Sequence, residues 1–168
     1  MKNRLFVLFV ALYMVLWFVR IEAFTKTEDI EKMIKTASGV LLDRSSSRDE
    51  IRDALLQLLD AAIITMPQTD YSDEAKAKIE VAKHEFSKKS FFSEKGHQYL
   101  SLAYRLMNNG KKYQLPEEEI YPIERAVEYC KKLVNSAIAS LKEGPDGHTT
   151  MLLLELVIMV VTPIPRTF

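Results

Sequence analysis

From residue 24 onward, apolar residues recur at intervals of three and four, the spacing of a helix with one buried face. The first stripe is Ile30, Met33, Ile34, Ala37, Val40 and Leu41, with Thr25 and Glu28 spaced as a capping box at its start. A polar turn follows at 44–47, where Ser47 and Glu50 repeat the capping pattern. They open a second helix striped by Ile51, Leu55, Leu58, Leu59, Ala62 and Met66. Pro67 ends it, because proline has no N–H to continue the ladder.

A third helix is expected from Ser72 to Phe86, with Ala75, Ile79, Ala82 and Phe86 inward. The run 87–93 breaks the period, and a fourth helix runs from about Ser93 to Asn108. Tyr99, Leu100, Ala103, Leu106 and Met107 are its expected inward residues, and Gly110 supplies a stop. The fifth, from Ile123 to Leu141, places Val127, Cys130, Val134 and Ala137 on one stripe and closes at Gly144–Gly147. The sixth, Thr149 to Thr162, is apolar on nearly every side, as a helix in the middle of a bundle would be. No stretch alternates with period two. The pattern predicts an all-α, antiparallel bundle of five or six helices built from α-hairpins, spanning residues 24–168 as one domain.

Residues 1–23 read differently. Lys2 and Arg4 precede 15 unbroken apolar residues from Leu5 to Val19, and Arg20, Ile21, Glu22 and Ala23 follow. A basic start, an apolar run and a small residue before Phe24 describe a secretory signal cleaved after Ala23. The run is short for a spanning helix, which needs roughly 17–25 residues, so an uncleaved anchor is the second reading. Both readings put the body outside the cytoplasm, in the periplasm or the extracellular space.

Composition narrows the chemistry. The 23 basic and 23 acidic side chains cancel, which removes the electrostatic footprint of a dedicated nucleic-acid binder. A single cysteine excludes an intramolecular disulfide and a Cys-rich zinc site. The chain contains no glycine-rich phosphate loop, no GxSxG and no HExxH string. The serines fall in caps and turns, so no Ser-His-Asp arrangement suggests itself, and no catalytic residue or cofactor is assigned. Cys130 lies on an apolar stripe, the wrong setting for a nucleophilic thiolate.

Three features remain. Residues 76–112 carry nine basic side chains against Glu80, Glu85 and Glu94, with aromatic residues interleaved. In an exported chain this pattern suits a protein partner or an anionic envelope component rather than nucleic acid. The expected contact residues are Lys88, Lys89, Phe91, Phe92, Tyr99, Tyr104, Lys111, Lys112 and Tyr113. Glu155 sits among Met151, Leu152, Ile158 and Met159, where a carboxylate must find a cation, take a proton or reach water; Arg105 is one such cation. Finally, Glu94 and His97 have the Glu-x-x-His spacing of metal-binding bundles, and with His84 they form the alternative reading of a metal- or haem-binding protein.

Overall fold

Short-range signals set the helix boundaries. At Ser47 the capping box is complete: Glu50 N–H donates to Ser47 Oγ at 3.3 Å, and Ser47 N–H donates to Glu50 Oε2 at 2.7 Å. At Ser93 the hydroxyl accepts from Gly96 N–H at 3.1 Å. Gly147, with φ of +83°, turns the chain into the last helix in a left-handed conformation that an L side chain would strain.

The computed structural model describes residues 26–88, 93–114, 123–144 and 147–162. They form helical residues 26–42 (α1), Arg48–Ile64 (α2), Ser72–Ser87 (α3), Glu94–Met107 (α4), Ile123–Glu143 (α5) and His148–Val161 (α6). Among the described residues there is no strand, and no helix is long and apolar enough to cross a membrane. The expected signal or anchor at 1–23 lies outside the described residues, as does Thr25.

α6 is the central element. Thr150, Leu153, Leu154, Val157 and Ile158 are completely buried, and Thr149, Leu156 and Met159 nearly so. Each large aliphatic side chain so enclosed contributes about 1.5–3 kcal/mol relative to exposure. α2, α4 and α5 pack around this helix. Its buried polar groups are matched: Thr150 Oγ1 lies 3.2 Å from Thr65 Oγ1, and Thr149 Oγ1 donates to Ser140 Oγ at 3.0 Å. These bonds hold the start of α6 against the ends of α2 and α5. Lys142 reaches Glu31 at 3.3 Å and ties the end of α5 to α1.

α3 and α4 pack against each other along their length, running antiparallel. Phe86, at the end of α3, is completely buried against the start of α4, where Gly96 leaves room for its ring. The buried stripe of α4 is Gly96, Leu100, Ala103, Tyr104 and Met107. It keeps Leu100, Ala103 and Met107 of the expected stripe, but Tyr99 and Leu106 are only partly buried, while Gly96 and Tyr104 are inside. Across the neighbouring interface, Lys83 of α3 pairs with Asp60 of α2 at 2.5 Å.

Candidate functional site: the outer face of α4

The basic-aromatic stretch separates into an inner and an outer half. Tyr104 keeps 8% of its surface and belongs to the core, which corrects its expected place on a contact surface. The reason is helical phase: position 104 shares a face with Leu100, Ala103 and Met107. Tyr113 folds back from the chain after α4, and its ring meets that of Tyr104 edge to face at 5.6 Å and 79°. Its hydroxyl is buried without a hydrogen-bond partner, so its contact with solvent is through the ring alone.

Below these rings lies Glu155, half-buried. Its partner is a phenol: Tyr129 Oη, from α5, donates to Glu155 Oε1. Arg105, the cation suggested by sequence, is exposed on the other side of α4. Burial, and after it the negative charge of Glu155, raises the Tyr113 and Tyr104 phenols above their ordinary range. Cys130 lies in the same layer, and burial pushes its thiol up to about 11. A protonated thiol and neutral phenols around a phenol-bound carboxylate make a packed polar seam with no nucleophile exposed.

The remaining contact residues divide as follows. Lys88 is exposed and held by Glu85 at 3.0 Å, and Lys95 approaches the same carboxylate at 3.4 Å. The Lys88 hydrogen bond, with Lys95 in support, holds the Glu85 carboxyl below its ordinary range. Tyr99 is half-buried, with Lys78 Nζ 5.9 Å from its ring centre. Lys111 and Lys112 are exposed. Lys89, Phe91 and Phe92 lie outside the described residues.

The alternative metal triad does not converge. His84 is exposed on α3, and Glu94 is exposed at the start of α4, 3.5 Å from Gln98 Nε2. His97 turns instead to the end of α6, its Nε2 3.0 Å from Thr162 Oγ1. Thr162 donates its only hydroxyl proton to Ile158 O at 2.6 Å, so its oxygen accepts from His97 and Nε2 carries the ring proton. Burial holds the His97 pKa below 6.5, which leaves the ring neutral at pH 7. Among the described residues no three His, Cys, Asp or Glu side chains come together as a metal would require.

Two features of the outer face were not singled out in the sequence. Leu102 is 41% exposed and Tyr71 37%, two of the three exposed large apolar side chains among the described residues. Beside them run two grooves that share Leu102 and Arg105. One, of about 430 Å³, is bordered by His97, Gln98, Ser101, Lys112 and Tyr113. The other, of about 380 Å³, is bordered by Tyr71, Glu74, Lys78, Leu106 and Gly110. Leu102 and Arg105 lie off the apolar stripe, so periodicity marks them only as ordinary surface. Comparison with protein-family models, curated proteins and solved structures finds no match for this chain.

Proposed function

We propose that the protein is an exported, non-enzymatic binding or scaffold module of the cell envelope, a bundle of helical hairpins that docks through the outer face of α4. One observation carries this reading: exposed Leu102 and Tyr71 adjoin Arg105 and Lys112, for which no described carboxylate serves as an ion-pair partner. An apolar patch rimmed by cations that no described carboxylate pairs suits an anionic partner, either a protein or an envelope component. The apolar run at 5–19 supports export, and membrane association follows only where residues 1–23 remain attached. The near-neutral overall charge argues against nucleic acid as the partner.

The test compares capture from native envelope extract by wild type and by the double variant Arg105→Glu, Lys112→Glu. Loss of capture with unchanged far-UV circular dichroism is expected. Equal capture by the two proteins rejects this surface. N-terminal sequencing of the mature protein separates the two membrane readings: a start at Phe24 shows cleavage, a start at Met1 an anchor.

A further inference from the structure

Of the four asparagines in the chain, only Asn109 is followed by glycine. That pair has a chemistry of its own, because the nitrogen of a glycine carries no neighbouring side chain to shield it from the preceding amide. The structure puts both residues in solvent at the end of α4, and nothing lies within 4 Å of where a Cβ would stand on Gly110. The folded turn nevertheless holds the reacting atoms apart. Asn109 has φ of +49°, and in that left-handed region ψ is positive too, which turns the Gly110 nitrogen away from the Asn109 side chain. Gly110 N–H donates to Arg105 O at 2.8 Å and Lys111 N–H to Asn108 O at 2.9 Å, and these bonds close the helix end. Both must open before the nitrogen can attack. The opening is local. Before the turn, Met107 is buried and Asn108 Nδ2 donates to Tyr104 Oη at 3.3 Å; after it, the Tyr113 ring rests on Tyr104. Exposed residues 109–112 lie between these anchors, so the turn rearranges with the bundle intact.

We infer that Asn109 is a site of spontaneous deamidation, gated by the turn that caps α4. With the turn open, the Gly110 nitrogen gives its proton to solvent base and attacks Asn109 Cγ. The N–Cγ bond forms, the Cγ–Nδ2 bond breaks, and the side-chain nitrogen leaves as ammonia. Water then opens the cyclic imide. Addition at Cγ gives aspartate and restores the backbone; addition at the main-chain carbonyl of residue 109 gives isoaspartate, with the chain routed through Cβ. Either product adds a negative charge two positions before Lys111, at the rim of the groove that Gly110 borders with Arg105. The consequence for binding rests on the docking role proposed above: the new charge weakens the hold on an anionic partner as the protein ages.

The test incubates the full chain as its host exports it, at mildly alkaline pH, both folded and in guanidinium chloride. Peptide mass mapping and labelling by an isoaspartyl methyltransferase locate the product. Isoaspartate should accumulate at 109 and not at Asn108 or at exposed Asn135 of α5. The folded protein should react about five- to a hundredfold more slowly than the denatured chain, the factor expected for opening two backbone hydrogen bonds. Tyr113→Ala, which frees one anchor of the turn, should speed the folded-state reaction with helicity unchanged, and Asn109→Gln should abolish it. Equal rates in the folded and denatured chains, or folded-state conversion more than about a thousandfold slower, overturns the inference. So does more product at Asn135 than at Asn109. Aged protein and Asn109→Asp should both capture less partner from envelope extract than fresh wild type does. Normal capture by Arg105→Glu, Lys112→Glu rejects the docking role and leaves the deamidation standing. Loss of capture by that variant with full capture by aged protein keeps the docking role and refutes the effect of charge at 109.

Discussion

Replacing Gly96 by alanine should destabilise the protein, although alanine is the better helix former. A Cβ at position 96 would lie 2.6 Å from Phe86 Cε1 and 2.8 Å from Cζ, where carbon atoms normally keep about 3.5–4.0 Å apart. The ring has no free side to retreat to, since Phe86 is completely buried. Inserting a methyl group into such a site costs about 1–3 kcal/mol. Against it stands a helix-propensity gain of at most about 1 kcal/mol, reduced in a first turn. The net expectation is a loss of about 1–2 kcal/mol, or roughly 2–8 °C in melting temperature for a chain of this size. The assay is urea unfolding followed by far-UV circular dichroism for Gly96→Ala, Phe86→Leu and the double variant. Phe86→Leu removes the atoms that clash, so adding Gly96→Ala in that background should be neutral or stabilising by up to about 1 kcal/mol. Destabilisation by Gly96→Ala of equal size in both backgrounds, or none in the Phe86 background, would refute the close approach of α3 and α4.

Two further outcomes follow from the interior. With its thiol pushed up to about 11, Cys130 should alkylate with iodoacetamide near pH 8 at least about tenfold more slowly in the native protein than in urea; equal rates would mean the thiol is open to solvent. His97 has its native pKa below 6.5, so the unfolded chain takes up the proton first as pH falls. Its share of stability is whole above about pH 6.5 and is lost as pH drops through the lower native value. Between about pH 7.5 and about pH 5, wild type should therefore lose more melting temperature than His97→Gln, whose amide N–H can still donate to Thr162. An identical loss in the two proteins would show that His97 titrates freely.

The sequence made the helix limits readable where the signals are local. Ser47 with Glu50, Pro67, and Gly144 with Gly147 each act within a few residues, and the helices start and stop beside them. The apolar run at 151–161 likewise identified α6 as central, because a helix without a polar side has no face to give to water. The candidate site was less legible. Tyr104, expected on the contact surface, lies on the buried stripe with Leu100, Ala103 and Met107, while Leu102, off that stripe in both readings, stands out only through its exposure beside the grooves. The close approach of Phe86 to Gly96 is a contact between helices that no periodicity encodes. Glu155 stood out in the sequence as an acid needing a partner, but Tyr129 reaches it from 26 positions away. Only the packing of α5 on α6 decides between that phenol and Arg105.

The account turns on Leu102 and its cationic neighbours being the surface at which the protein engages its partner. A photo-crosslinking amino acid placed at 102 in the full chain, expressed in the native host, tests that directly, with exposed Asn135 on α5 as the control position. Crosslinked adducts to an envelope component should form from position 102 and not from 135, and Arg105→Glu with Lys112→Glu should remove them. Absence of adducts at 102, or equal yields from both positions, would contradict it.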